Sequence, residues 1–301
     1  ALHPQPLNRS LWPGLVAGCV AYGLAHWIGI VHEPLGAYLA GKRISARVNM
    51  ALFAYVLFDL ASKGVARRAS YALSTFAACT VLFAIDSRTG HVVLLVLMML
   101  AAYQAAPRRN RLVASLLALV SFALIAAMSN PVRSRLSETL ALATADPRPI
   151  SAGATSSEIR LAIVKHSMTV TREHFALGTG WSSYGDAFEA AIREAGDAVE
   201  VFTPSNPHNE YLLQLGAGGI PALVLFLAWL LAPTVRPHAG GWRWSDRRLR
   251  TTAAAFAVGC AFNSLLLDFV EAHFYVTLLA WMVTAHLAAT PDRTKTDAAL
   301  A

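Results

Sequence analysis

The feature that most constrains this chain is a series of long apolar runs set apart by short clusters of Arg and Lys. A bilayer core about 30 Å thick needs about 20 apolar residues as helix, somewhat fewer where neighbouring helices bury the ends. Eight runs qualify as candidate spans: 11–31, 48–62, 70–85, 91–106, 112–129, 211–233, 251–269 and 273–289. Backbone polar groups in lipid must be satisfied within the protein, and these runs are continuous rather than alternating, so helices are expected and a β-barrel is not. The fold class expected is all-α: a polytopic membrane helix bundle with one large helical loop.

Composition agrees. The chain is 55% hydrophobic and 14% charged over 301 residues, too little charge to cover a soluble surface of that size. The net charge of +7 does not imply nucleic acid, because the excess lies in short loops between apolar runs, where topology accounts for it. Membrane lipids are the expected surroundings. Cys19, Cys79 and Cys260 each lie inside an apolar run and read as small apolar filler.

The Lys and Arg clusters give a sidedness. Lys63, Arg67 and Arg68 follow the second run; Arg108, Arg109 and Arg111 the fourth; Arg236, Arg243, Arg247, Arg248 and Arg250 the sixth; Arg293 and Lys295 the eighth. All fall on one side, the cytoplasmic one by the positive-inside bias. The organisation expected is a group of five spans in 1–129, an outer loop domain in 130–207, and three spans with a tail in 208–301. The outer segment is 78 residues long and carries seven Arg or Lys against nine Asp or Glu. Lys42, Arg43 and Arg47 lie outside, against the bias. Within the outer loop, 158–174 reads as an amphipathic helix with Leu161, Val164, Met168 and Thr171 on its stripe and Ser156 or Ser157 as cap. A second helix is expected over 186–195. Gly178 and Gly180 end the first stretch; Pro204 and Pro207 mark the return to the membrane.

Four outer features carry chemistry: the Asp86-Ser87-Arg88-Thr89-Gly90 link, Arg160, the Pro207-His208-Asn209-Glu210 re-entry, and the Lys42/Arg43/Arg47 cluster. Arginine binds phosphate oxygens with a planar fork and keeps its charge. Grouped cations at a membrane surface repel one another unless an anion joins them, and a lipid-linked pyrophosphate carries its charge at that depth. His208 has the residue type of a general base near neutrality. Each feature also has a plainer reading: interfacial anchoring for Arg88, a solvated face for Arg160, a helix-start hydrogen bond for His208, and headgroup snorkelling for the cluster. Asp59 and His26, inside spans, read as a buried hydrogen-bonded pair or as a proton path. His91, His166 and His174 lack metal-ligand spacing and read as surface residues. Glu210, Asp268 and Glu271 read as helix-end or salt-bridging carboxylates. No Asp-x-Asp pair occurs on the outer side, so a metal has no evident seat.

The segment Ser205-Asn206-Pro207-His208-Asn209-Glu210-Tyr211-Leu212-Leu213-Gln214-Leu215-Gly216, continuing to Gly219-Ile220-Pro221, resembles the signature of the O-antigen ligase and polymerase superfamily. Ser87-Arg88-Thr89-Gly90 resembles its Ser-Arg-Thr-Gly turn. Arg160-Leu161-Ala162-Ile163 with Glu173-His174-Phe175 and Gly178-Thr179-Gly180-Trp181 resembles its outer-loop helix, with Phe175 or Ala176 where Pro is usual. Gly41-Lys42-Arg43-Ile44 resembles its basic turn. Family members have more spans than eight, and this chain starts without Met, so earlier spans are expected to precede it.

The resemblance implies a glycosyltransferase of the multi-span, lipid-donor (GT-C-like) type with a large periplasmic loop, in the bacterial inner membrane, its active site facing the periplasm. It implies an O-antigen ligase that moves a glycan, with inversion, from undecaprenyl pyrophosphate to lipid A–core in lipopolysaccharide assembly, with no metal and no cofactor. Arg88, Arg160 and His208 match essential positions; Lys42, Arg43 and Arg47 match less tightly as pyrophosphate ligands. Asn209, Trp181 and Tyr184 are the candidate sugar contacts. A polymerase or a protein O-oligosaccharyltransferase of the same superfamily would use similar residues. A lipid or glycan transporter would instead need charges at mid-membrane depth.

Overall fold

The computed structural model describes residues 5–31, 43–85, 87–143, 149–151, 153–202, 206–238, 241–244, 247–267, 272–273 and 275–280. The first helices are α1 (Gln5–Val31), α2 (Arg43–Ser62) and α3 (Arg67–Cys79), the last running into a π-helical turn, Thr80–Ala84. Then come α4 (Arg88–Ala105), α5 (Arg111–Ala127), α6 (Asn130–Ala143), α7 (Ser156–Glu173) and α8 (Tyr184–Glu194). After α9 (Glu210–Leu231) a short antiparallel hairpin, β1 (Val235–His238) and β2 (Gly241–Trp244), leads into α10 (Arg247–Phe262). The architecture is the expected all-α bundle, with this hairpin as its minor exception.

Among the described residues, three helical stretches are long and apolar enough to cross a membrane: Arg88–Ala105, Arg108–Ala127 and Glu210–Leu231. The other expected spans are helical over most of their described residues but shorter or more polar, and the one expected over 251–269 leaves the helix after Phe262. Helix α2 shows why. It is the enclosed centre of the bundle, buried along nearly all of Val48–Ala61, and carries Arg47, Asn49 and Asp59 among its apolar residues. Asp59 is matched by Lys63 Nζ at 2.6 Å and Arg248 Nε at 3.0 Å. The acid expected inside a span is thus a paired group closing one end of the bundle; the His26 side chain lies outside the described residues. Helix α5 is the opposite case: Leu112, Leu116, Leu117, Val120 and Leu124 are exposed along it. An apolar face of that length turned outward is what a lipid-facing helix presents.

The bundle has two distinct ends. At one, Asp59 meets Lys63 and Arg248, and Gln104 joins Tyr55 to Thr251. At the other lie the starts of α2, α4 and α9 and the last residue of α10. Gly90 sits so close to α2 that a Cβ there would stand 3.3 Å from the Arg47 carbonyl oxygen. Thr89 Oγ1 donates to the Phe262 carbonyl at 3.5 Å. The π-helical turn frees carbonyls from the ordinary ladder, and these are taken by His91 Nε2 on Val81 at 3.0 Å and by the Ser129 hydroxyl on Leu82. His91 is therefore a buried ring tying α4 to α3, a correction to its reading as a surface residue.

The outer helices form a second apolar cluster: Ala162, Ile163 and Val170 from α7, Tyr184, Phe188 and Ile192 from α8, and Leu213 and Ala217 from α9. The stripe expected on α7 is corrected in part: Thr171 is buried and Val164 half-buried, but Leu161 and Met168 are exposed while Ala162, Ile163, His166, Ser167 and Val170 face inward. Two polar residues of this cluster find internal partners: Ser167 donates to the Ile163 carbonyl, and Tyr184 donates to Ser167. His166, expected at the surface, is buried 2.7 Å from Asp197 Oδ2, and Asp197 Oδ1 accepts the Ile150 N–H. The cap of α7 is Thr155 rather than Ser156 or Ser157; it forms a capping box with Glu158. Helix α8 matches the expected second helix within two residues at its start.

A break in α9 locks this outer layer to the bundle. Gly219 has φ 64° and ψ −163°, a conformation essentially confined to glycine. Pro221 has no N–H to give the Ala217 carbonyl, and the Ile220 N–H turns away to the Ala176 carbonyl at 3.2 Å. The Gly216 and Ala217 carbonyls are served instead by the Thr179 N–H at 2.9 Å and the Gly180 N–H at 2.8 Å. The backbones approach so closely that a Cβ on Gly178 would lie 2.5 Å from the Ala217 carbonyl carbon and oxygen.

Candidate functional site

Arg88 stands at the first residue of α4. Ser87 caps the helix by accepting the Gly90 N–H at 3.2 Å, so the positive end of the helix dipole adds to the Arg88 charge. One Nη of Arg88 donates to Glu138 Oε2 of α6 at 3.2 Å and to the Ser157 hydroxyl of α7. Ser157 donates in turn to Glu138 Oε2 at 2.9 Å, and Arg135 reaches the same oxygen at 2.9 Å. The Ser157 hydroxyl, against partial desolvation and with help from Arg135 and Arg88, holds the Glu138 carboxyl below its ordinary range. Nε of Arg88 is buried, with no hydrogen-bond acceptor among the described residues. A buried donor of a charged group left in this way costs free energy that an anion would recover.

Two further arginines lie on neighbouring elements. Arg47 packs its backbone and Cβ against Gly90 at the start of α4. Arg160 lies three residues beyond Ser157 on α7, on the same side of the helix. Lys42, and the side chain of Arg43, lie outside the described residues, as do Asp86, Asp268 and Glu271.

His208 sits just before α9 with φ 49°, the left-handed region that residues other than glycine rarely adopt. Its own N–H donates to Asn206 Oδ1 at 2.9 Å, which stabilises that turn. Its ring Nδ1 is 3.0 Å from Asn263 Oδ1. The three residues that follow also reach the end of α10 or the turn after it. Asn209 Nδ2 donates to the Ala261 carbonyl, Glu210 Oε2 accepts the Leu266 N–H, and the Tyr211 hydroxyl donates to the Ala257 carbonyl. Through Phe262, which Thr89 touches, the Arg88 and His208 segments meet at the same stretch of α10.

The candidate sugar contacts divide. Trp181 is exposed beside the α9 break. Tyr184 is a correction: its ring is 3% exposed and stacked on Phe188, so no face is open to a sugar. The Asn209 side chain caps α9 by accepting the Leu212 N–H while its NH₂ holds α10. Glu210 is buried, shared between Gln214 and the Leu266 N–H. Glu138, Ser157 and Asn263 were not evident from sequence. Nothing local marks Glu138; the Asn263-Ser264 pair interrupting an apolar run is the one signal for Asn263.

The fold and this cluster define a class: a polytopic α-helical membrane protein in which Arg88, Arg135, Glu138 and Ser157 are bonded together at one end of the bundle. Within that class, the family profile described as O-antigen ligase matches residues 73–227, just over half of the chain and including Arg88, Arg160 and His208. The chain belongs to the O-antigen ligase family. No curated protein matches it.

Proposed function

We propose that the protein is an O-antigen ligase. It transfers a glycan from undecaprenyl pyrophosphate to a sugar hydroxyl of lipid A–core at the periplasmic face of the bacterial inner membrane. The observation that carries this reading is Arg88: a guanidinium at a helix N-terminus whose buried Nε has no acceptor among the described residues, with Arg47 on the helix that packs against Gly90 and Arg160 on the helix whose Ser157 binds Arg88. That donor set suits a pyrophosphate, whose charge grows as the glycosyl bond breaks.

In the step proposed, the acceptor oxygen attacks the anomeric carbon from the face opposite the pyrophosphate. The new C–O bond forms as the old one breaks, and undecaprenyl pyrophosphate departs with the electron pair. The acceptor proton goes to the His208 ring and from there to water. Arg88 and Arg160 stabilise the leaving charge, which is the work a metal does in other transferases. Trp181 is retained as a sugar-stacking face. A polymerase differs only in its acceptor, a second lipid-linked glycan. The transporter reading loses its motive, because Asp59 is ion-paired with Lys63 and Arg248.

The test is purified protein in nanodiscs with undecaprenyl pyrophosphate-linked glycan and lipid A–core, followed by detection of the joined product. Product joined only to a second lipid-linked glycan identifies a polymerase; no product with either acceptor ends the reading. Two variants divide the roles. Arg88→Lys keeps the charge and loses the fork, so it should lose most activity. His208→Ala should leave donor binding nearly intact and cut turnover by about 10² to 10⁴. Normal turnover in folded His208→Ala protein removes His208 from the chemistry.

A further inference from the structure

The environment of His208 assigns a role to a residue that lies outside the family match. Oδ1 of Asn263 is an amide carbonyl oxygen and can only accept, so the ring nitrogen 3.0 Å away, Nδ1, carries the hydrogen. A neutral imidazole protonated at Nδ1 has its basic lone pair at Nε2. Asn263 is well placed to impose this. It is 2% exposed; its N–H closes the last turn of α10 on the Gly259 carbonyl at 3.0 Å, and its own carbonyl accepts the Leu265 N–H at 3.1 Å. The turn that follows is pinned by Leu266 N–H on Glu210 Oε2. On the other side, His208 is fixed by the Asn206 turn and by Asn209, the cap of α9. A left-handed backbone is unfavourable at a residue with a Cβ, so surrounding bonds must hold it there.

We infer that Asn263 is the positioning residue of the His208 base: its carbonyl selects the Nδ1–H tautomer and turns Nε2 toward the acceptor hydroxyl. The inference rests on the proposed role of His208. Asn263 does not touch substrate; it acts through the imidazole, as second-layer acceptors do for catalytic histidines in general. Among the described residues, Glu210 is bonded to Gln214 and the Leu266 N–H, and Tyr211 to the Ala257 carbonyl.

Asn263→Asp and Asn263→Leu separate orientation from mere structure. Asn263→Asp keeps an acceptor and adds a charge that favours imidazolium. The limb of the kcat/KM profile set by the base should then move up by about one pH unit, with turnover kept on its plateau. Asn263→Leu removes the acceptor and should cut turnover by about 10²-fold, while binding of the undecaprenyl pyrophosphate-linked glycan donor stays within about 2-fold. Adding Asn263→Leu to His208→Ala should cost less than about 2-fold more, because the two act as one unit. ¹⁵N shifts of histidine-labelled protein give a readout independent of turnover: the ring assigned by its loss in His208→Ala should show the Nδ1–H form, and lose it in Asn263→Leu. An unmoved limb in Asn263→Asp, or an equal loss from Asn263→Leu with and without His208, overturns the inference while leaving His208 in place. A fully active His208→Ala removes the base reading itself, and the role of Asn263 with it.

Discussion

At the scale of single residues, the site holds its own counter-ion. Arg88 is bound by Glu138, a carboxylate kept ionised by Ser157 and Arg135. On the proposed function, an incoming pyrophosphate competes with Glu138 for the same guanidinium. Glu138→Gln keeps the side-chain shape and removes the competing charge. Affinity for inorganic pyrophosphate, read by calorimetry, should rise by about 3-fold, ~0.7 kcal/mol, the size of a partly exposed ion pair. Unchanged or weaker affinity would place Glu138 outside the binding competition. The acid side gives a second reading. A carboxyl held below its ordinary value of 4.5 contributes stability above that pH and loses it as pH falls through the lowered value. The wild-type protein should lose that increment in acid; Glu138→Gln should not.

At the scale of elements, the glycines of the motif segments have mechanical work. Gly178 and Gly219 both lie at positive φ, where their backbones meet at distances a Cβ would close to about 2.5 Å. Gly219→Ala adds a Cβ to a glycine-only conformation and drives it into the Ala176–Leu177 backbone. It should destabilise the protein by more than about 2 kcal/mol, measured as earlier thermal unfolding in detergent, and release the outer layer to protease before the bundle unfolds. Wild-type stability would mean that the lock contributes little. Pattern reading could find these glycines and the Pro221 beside them, because each breaks helical continuity in a way sequence records. It could not find the partner, since the exchange of carbonyls between α9 and the 176–180 turn is a non-local pairing. The same limit explains α7. Leu161 and Met168 suggested its buried face by apolarity alone, whereas the true face carries Ser167 and His166, polar groups that a helix buries only where a specific partner waits. Arg88, Arg160 and His208 were legible as residue types in motif order. Glu138, Ser157 and Asn263 were not, because hydrogen-bond complementarity across 50 residues or more leaves no periodicity to read.

At the scale of the whole molecule, connectivity sorts the charged groups between the two ends of the bundle. Arg47, Arg88, His208 and the outer layer share one end of the bundle; Lys63, Gln104 and Arg248 share the other. Helices α2, α4 and α9 all start at the first end, as alternating passage through a bilayer requires. If that end faces the periplasm, as proposed, a cysteine at Ser182, exposed in the outer layer, should react with an impermeant maleimide in intact spheroplasts. A cysteine at Arg109, exposed between α4 and α5, should react only after the inner membrane is opened. Of the native cysteines, Cys19 and Cys260 are buried, so a single Cys79 replacement by Ser lowers the background with little disturbance. The opposite labelling order would invert the protein. It would put the Arg88 end in the cytoplasm, opposite the periplasmic face at which the proposed ligase works, and would end the ligase reading even with every side-chain contact intact.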